Sequence, residues 1–308
     1  MSESGTHRCL QQPVGGVLRE LLRDWDDVRY FATARSAGKE LDGRVVEEAT
    51  PEVLEAGGLD ICFSAIGATA SLELVPHAVR GGAVAIDKSS AWRMKPDVPL
   101  VVPEVNGNRA VEHQGVIAVP NCSTIQLLVA LKPLHDAAGL RSIRLATYQS
   151  VSGAGKQSME RLRAESVEDH DLRGDWTFDG ELFEEEAKIH EETRKILELP
   201  ELPVHATCVR VPVLVGHLEA VWIETEDALS PEHARDLLGR APGLRVVDFP
   251  SPKQAAGADE VLVGRLRRDP TARNGLALMV AGDNLRKGAA LNAVQIAELL
   301  LERSALAA

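Results

Sequence analysis

The sequence predicts two α/β domains, a parallel sheet covered on both faces and then a more antiparallel sheet with one open face. Strands and helices alternate from residue 14 to about residue 120, the arrangement that builds parallel sheets through crossover helices. After residue 140 the segments read as alternating or apolar strands with few helices among them, as in a sheet that leaves one face to water. A length of 308 residues gives each domain enough chain for its own core.

Taken in order, "VGGVLRELLRDW" sets Val14, Val17, Leu18, Leu21, Leu22 and Trp25 at helical spacing. "VRYFATA", "LDICFSAIG", "AVAIDKSS" and "GVIAV" are apolar enough for buried strands, and "SLELVPHAVRGG" reads as a helix closed by glycine. Beyond them, "IRLATYQSVSG", "HATCVRVPV", "HLEAVWIET", "LRVVDF", "EVLVGRLRRD" and "LALMVAG" are the expected strands of the second domain. A charged helix, "ELFEEEAKIHEETRKILEL", interrupts them, and an amphipathic helix, "KGAALNAVQIAELLLERS", is expected to pack back on the first domain.

Composition narrows the function. A net charge of −12 argues against nucleic acid or an anionic membrane as partner. No apolar run approaches the ~18 residues of a membrane span, and the start, "MSESGTHRCLQQ", lacks a signal-peptide core. Cys9, Cys62, Cys122 and Cys208 are scattered without a CxxC pair, so neither a metal site nor a disulfide framework is expected. A reduced, cytoplasmic setting is the expectation.

One cysteine stands apart. In "VPNCSTIQ" (119–126) a strand stops at Pro120, and Ser123-Thr124 opens a helical segment. Amides of a first helical turn lack internal partners and, with the helix dipole, favour an anion. A thiol there is expected to ionise more easily, and the same amides plus the Asn121 side chain are candidate donors to an oxyanion. The plainer reading, a buried structural cysteine, suits Cys62 and Cys208 inside apolar strands. A proton partner is also needed. His217 heads a strand beside Gly216 in "RVPVLVGHLEAVWIE", whereas most other histidines lie in polar or helical stretches. Arg210, seven residues earlier, would face away from it on a regular strand. Pro212 and Gly216 permit convergence without requiring it.

At this point a family resemblance becomes legible. "AIDKSSAWRM", "VPNCSTIQLLVALKPLHDAAGL", "TYQSVSGAG", "RVPVLVGHLE" and "GDNLRKGAALNAVQIAE", in this order from about residue 14 to 303, resemble the aspartate-semialdehyde dehydrogenase family. The resemblance implies an α/β Rossmann-type dinucleotide-binding domain over residues 1–121, completed by the C-terminal helix 288–308. It implies an α+β catalytic and dimerisation domain over residues 122–287, and a homodimer or dimer of dimers. This family is similar in layout to glyceraldehyde-3-phosphate dehydrogenase.

The implied reaction is NADPH-dependent conversion of L-aspartyl-4-phosphate to aspartate semialdehyde with release of phosphate, within lysine, threonine and methionine biosynthesis. Cys122 would be the nucleophile, His217 the proton shuttle, and Gln149 the glutamine beside the thiol. Arg93 and Lys188 match the family's phosphate ligands. Arg210 matches the arginine that grips the substrate α-carboxylate as a fork, and Glu185 the acid that meets the α-ammonium. Read without the resemblance, Glu185 and Lys188 are simply three apart on one solvated helix face. Arg35 and Ser36 in "ATARSAG" suit the 2′-phosphate of NADP rather than an NAD ribose. Ser152 and Gly153 match a second cofactor loop, and Asn284 a residue near the nicotinamide.

The pattern breaks at the start. Where the family shows a strand running into a glycine-rich loop, this chain has "CLQQPVG", of which only Val14 and Gly15 match. Cys9 and Gln12 replace glycines that let backbone approach a pyrophosphate, and Pro13 removes a donor. Because the downstream chemical residues are intact, the expectation is a start that does not represent the natural protein, rather than a lineage that abandoned catalysis. Lys88 stands where the family has asparagine. Two other readings stay open: N-acetyl-γ-glutamyl-phosphate reductase, whose nucleophile follows Pro-Gly rather than Pro-Asn, and a catalytically silent dimeric relative.

Overall fold

A computed structural model describes residues 14–307. The first domain runs α1 (Val14–Leu21), β1 (Tyr30–Ala32), β2 (Glu40–Leu41), β3 (Arg44–Glu48) and α2 (Pro51–Glu55). It continues with β4 (Ile61–Ser64), α3 (Ala68–Arg80), β5 (Val84–Asp87), α4 (Pro103–Asn106) and β6 (Val116–Ala118). The strands form two separate three-stranded sheets, β1-β3-β2 and β4-β5-β6, parallel except for β2. A small cluster joins the halves: Leu54, Ala78 and Ala83 pack with Phe31 of β1 and Cys62 of β4. In a Rossmann-type order the first strand lies between two such halves. Residues 1–13, and with them the reading of a degraded first strand, lie outside the described residues.

After β6 come α5 (Cys122–Ala138), β7 (Leu140–Gln149), α6 (Lys156–Ala164), β8 (Phe178–Asp179), β9 (Leu182–Phe183) and α7 (Glu184–Leu197). After these come β10 (Val204–Arg210), β11 (His217–Thr225), α8 (Pro231–Arg240), β12 (Leu244–Val246) and α9 (Pro252–Ala255). The chain closes with β13 (Val261–Asp269), β14 (Gly275–Gly282) and α10 (Leu291–Ala307). Six strands form one sheet in the order β10-β7-β11-β14-β13-β12.

The inner pairings are antiparallel, but both edges are parallel, β10 on β7 and β12 on β13. The sheet is therefore mixed, not simply antiparallel. Crossovers explain the edges, since α6 and α7 carry the chain from β7 back to the start of β10, as a parallel pair demands. Helix α8, absent from the sequence reading, is opened by Ser230, whose side chain accepts from the His233 amide with Pro231 following.

Helix α5 has no polar stripe through its first turns. Residues from Ser123 to Leu131 are all buried, because the helix runs between β11 and β14 on one side and α4, α7 and α8 on others. The last segment, a π turn (Arg286–Ala290) leading into α10, lies against α1, with α10 also touching β5 and α4.

Register gathers the chemistry at one end of the large sheet. Arg210, last in β10, is opposite Gln149, last in β7. His217, first in β11, is opposite Gly282, last in β14. Arg210 and His217 thus sit on different strands, and the turn between them, with Gly216 at φ +93°, brings both to the same edge. Helix α5 begins at that edge.

Candidate active site

Asn121 caps α5: its Oδ1 accepts from the Ser123 amide at 2.9 Å, leaving Cys122 as the first helical residue. Cys122 Sγ lies 3.2 Å from His217 Nε2. The motif "GDNLRKGAA" closes the other side. A Cβ on Gly288 would stand 2.9 Å from Cys122 Cβ, so the close approach requires glycine.

The imidazole is fixed by backbone. The Ser150 amide donates to His217 Nδ1 at 3.0 Å, so Nδ1 carries the lone pair and the neutral ring presents Nε2–H to the sulfur. Asn284 locks the surrounding loops, accepting from the Gly216 amide at 2.9 Å and the Ser150 hydroxyl at 3.0 Å, and donating to Ser152 Oγ at 2.9 Å. Burial, then the nearby Arg210, pushes the His217 pKa down to about 3. The expectation of an easily ionised thiol does not hold in this structure. Burial, then Glu185, pushes Cys122 up to about 12, against weaker opposite pulls from Arg210, Arg93 and the Ser123 amide. Desolvation outweighs the helix terminus here, the half-buried sulfur lying against a fully buried imidazole.

Arg210 is buried, and its NH1 donates to the Ser150 carbonyl at 3.0 Å and the Gln149 Oε1 at 3.5 Å. Gln149 Nε2 donates to Thr147 Oγ1 at 3.2 Å. The hydrogen bonds of Gln149 are therefore with Arg210, Thr147 and, at 3.9 Å, the Cys208 sulfur rather than with Cys122. Glu185 Oε1 accepts from Asn121 Nδ2 at 2.9 Å, and Lys188 bonds Glu184 at 2.7 Å while standing 3.6 Å from Glu185. One turn further, the buried Glu192 was not singled out in the sequence. It accepts from Arg93 NH1 at 2.8 Å and from the Asn121 amide at 2.6 Å. Glu185, Lys188 and Glu192 continue one helical face, so the spacing itself held the signal.

Arg93 is delivered by a knot inside "AIDKSSAWRM". Asp87 accepts from the Ser89 amide and hydroxyl and from Ser71 Oγ, and Trp92 Nε1 donates to Ser71 Oγ at 2.8 Å. Lys195 then grips the carbonyls of Arg93, Lys95 and Val98 at 2.6, 2.8 and 2.9 Å. Arg93 Nε is buried without a partner among the described residues, on a guanidinium near enough for its charge to pull on the Cys122 thiol.

On the cofactor side, Gly15 is exposed with open space where a Cβ would stand, and Val14 lines a hollow with Ser64, Lys88 and Ala289. Arg35 is exposed and Ser36 half-buried in the turn after β1; Arg35 makes no ion pair among the described residues. Gly153 lies against Arg210 and His217, since an added Cβ would be 3.2 Å from Arg210 NH1 and 3.5 Å from His217 Nε2. Lys88 is half-buried at the end of β5, and burial, then Arg93, lowers its pKa. No cluster of metal-ligating side chains occurs among the described residues, and no helix among them is long and apolar enough to cross a membrane.

Comparison with known proteins agrees with this geometry. Residues 13–113 match the semialdehyde dehydrogenase NAD-binding domain, and residues 131–182 and 176–287 match the semialdehyde dehydrogenase dimerisation domain. The aspartate-semialdehyde dehydrogenase of Corynebacterium melassecola is 42% identical, covering 94% of this chain and 96% of its own. The crystal structure of aspartate semialdehyde dehydrogenase II from Vibrio cholerae complexed with ASA superposes with a TM-score of 0.87 at 40% identity, over 94% of this chain and 95% of that one. The Candida albicans aspartate semialdehyde dehydrogenase with NADP superposes with a TM-score of 0.75 at 25% identity, over 94% and 96%. None of these supports the N-acetyl-γ-glutamyl-phosphate reductase reading. The chain belongs to the aspartate-semialdehyde dehydrogenase family.

Proposed function

We propose that this chain interconverts L-aspartyl-4-phosphate and L-aspartate 4-semialdehyde through a thioester on Cys122, using NADP and working as a dimer. The observation that carries the reading is the 3.2 Å contact between Cys122 Sγ and His217 Nε2 at the start of a buried helix.

The Cys122 sulfur adds to the acyl carbon, the carbon–oxygen bond to phosphate breaks, and the thiol proton leaves with the phosphate, while His217 Nε2–H steadies the negative charge on sulfur as it forms. Arg93, with its spare Nε, and Lys188 face the leaving phosphate. Arg210 and Glu185 hold the α-carboxylate and α-ammonium, which fixes the acyl carbon against the sulfur. The chemistry a nicotinamide dinucleotide brings to such a site is hydride transfer. Gly15, Arg35, Ser36, Ser152, Gly153 and Asn284 would hold it, with Arg35 on a 2′-phosphate. Reduction of the thioester leaves an oxyanion on the Cys122 adduct. His217 Nε2–H stabilises that oxygen and then the returning thiolate as the carbon–sulfur bond breaks.

The test is turnover of aspartate semialdehyde with NADP and phosphate. Wild type should be active, Cys122→Ala inactive, and His217→Asn slowed with substrate KM nearly unchanged. Comparable activity in Cys122→Ala would end the reading.

A further inference from the structure

Between α6 and β8 the chain runs as a strap beside the end of β10. Arg173 and Arg210 form a two-bond antiparallel bridge, with the Arg173 amide 2.9 Å from the Arg210 carbonyl and the Arg210 amide 2.7 Å from the Arg173 carbonyl. Arg173 is itself pinned to both Glu165 oxygens at 3.0 Å. Gly174 lets the strap close on the Phe183 ring, which an added Cβ would meet at 2.8 Å. Trp176 packs on Phe183 with ring centroids 5.9 Å apart and lies 4.3 Å beneath the Arg210 guanidinium carbon.

This construction places one carboxylate on Arg210. Asp175 accepts from Nε at 3.1 and 3.3 Å and lies 3.1 Å from NH2. NH1 is already committed to the Ser150 carbonyl and Gln149. A guanidinium offers a carboxylate two parallel donors along one edge. With Asp175 in place no such edge of Arg210 is open, since the edge not taken by Ser150 and Gln149 is taken by the strap.

We propose that Asp175 is an in-chain stand-in for the substrate α-carboxylate, occupying the Arg210 fork until aspartyl substrate displaces it, and so a residue that sets substrate affinity. The inference rests on Arg210 being the α-carboxylate ligand. Three features suit displacement. Asp175 is 37% exposed whereas Arg210 is 5% exposed, so the carboxylate has water to move into while the cation stays. Trp176 keeps the guanidinium stacked after the carboxylate leaves. The group removed and the group arriving are both carboxylates, so the buried cation is never left unpaired.

The experiment measures KM and kcat for aspartate semialdehyde, with NADP and phosphate saturating, in wild type, Asp175→Asn, Asp175→Ala and Arg210→Met. Folding of each is checked by thermal melting, which an exposed position such as 175 should tolerate. Removing a competitor of this exposure should lower KM about two- to fivefold in both Asp175 variants while kcat moves less, and Arg210→Met should raise KM. A merely structural Asp175, steadying Arg210 for its ligand, would raise KM instead. If Arg210→Met raises KM while both Asp175 variants leave it unchanged or raise it, the stand-in role is wrong and the Arg210 assignment survives. If Arg210→Met leaves KM unchanged, the Arg210 assignment itself falls, and the inference with it.

Discussion

Glu192 offers the sharpest quantitative test of how the site is held. Its carboxylate is 1% exposed and bridges Arg93 at 2.8 Å and the Asn121 amide at 2.6 Å. Truncation to alanine removes one partner of a buried ion pair, an operation that costs about 3–5 kcal/mol. It also orphans the Asn121 amide, for roughly 1–3 kcal/mol more where no water replaces the acceptor. Against a total stability of about 5–15 kcal/mol for an ordinary domain, the second domain should lose much of its margin. The assay is urea unfolding of Glu192→Ala, Glu192→Leu and the double variant Glu192→Leu/Arg93→Met. The double variant leaves no unpaired charge, so it should recover most of the loss and retain only the amide's share. A single variant within about 0.5 kcal/mol of wild type, the range of an ordinary surface change, would refute the bridge. So would a double variant no better than the single.

Other consequences follow from the same geometry. Gly288→Ala should push a methyl onto Cys122, and turnover should fall at least tenfold while NADP binding by titration is retained. Alkylation of Cys122 in the free protein, followed by peptide mass mapping, should be slow at neutral pH and rise steadily as pH increases, because burial pushes the thiol up to about 12. A plateau near pH 7 would show an ionised resting thiol. His217 is held near pKa 3 against an ordinary 6.5, so the folded state takes up fewer protons than the unfolded one across that window. Its contribution is intact above pH 6.5 and lost as pH falls toward 3, about 2 kcal/mol by pH 5 at ~1.4 kcal/mol per pH unit. His217→Asn should flatten this part of the stability profile, and an unchanged slope would mean the ring is protonated in the fold.

Much of this was legible in the sequence for local reasons. Pro120 and Asn121 announce a strand that ends and a helix that begins at Cys122, since both residues act on their immediate neighbours. The face shared by Glu185 and Lys188 follows from helical spacing alone, and the same spacing leads on to Glu192. What stayed hidden depends on pairing across the fold. The parallel edges at β10 and β12 are set by crossovers, which apolar alternation within a strand does not encode. The strap at Arg173–Trp176 reads as an ordinary polar turn until β10 lies beside it. The tautomer of His217 is decided by an amide 67 residues away in the chain. At Cys122 the sequence shows the helix terminus but not the desolvation around it, and desolvation sets the direction of the shift.

The central claim is that Cys122 carries the acyl group. Intact-mass and peptide analysis after acid quench, with aspartate semialdehyde and NADP supplied and phosphate withheld, tests it most directly. The account predicts one aspartyl group bound to the peptide containing Cys122, removed by added phosphate and absent from Cys122→Ala. Turnover with no adduct at residue 122, or with the adduct on another side chain, would contradict it.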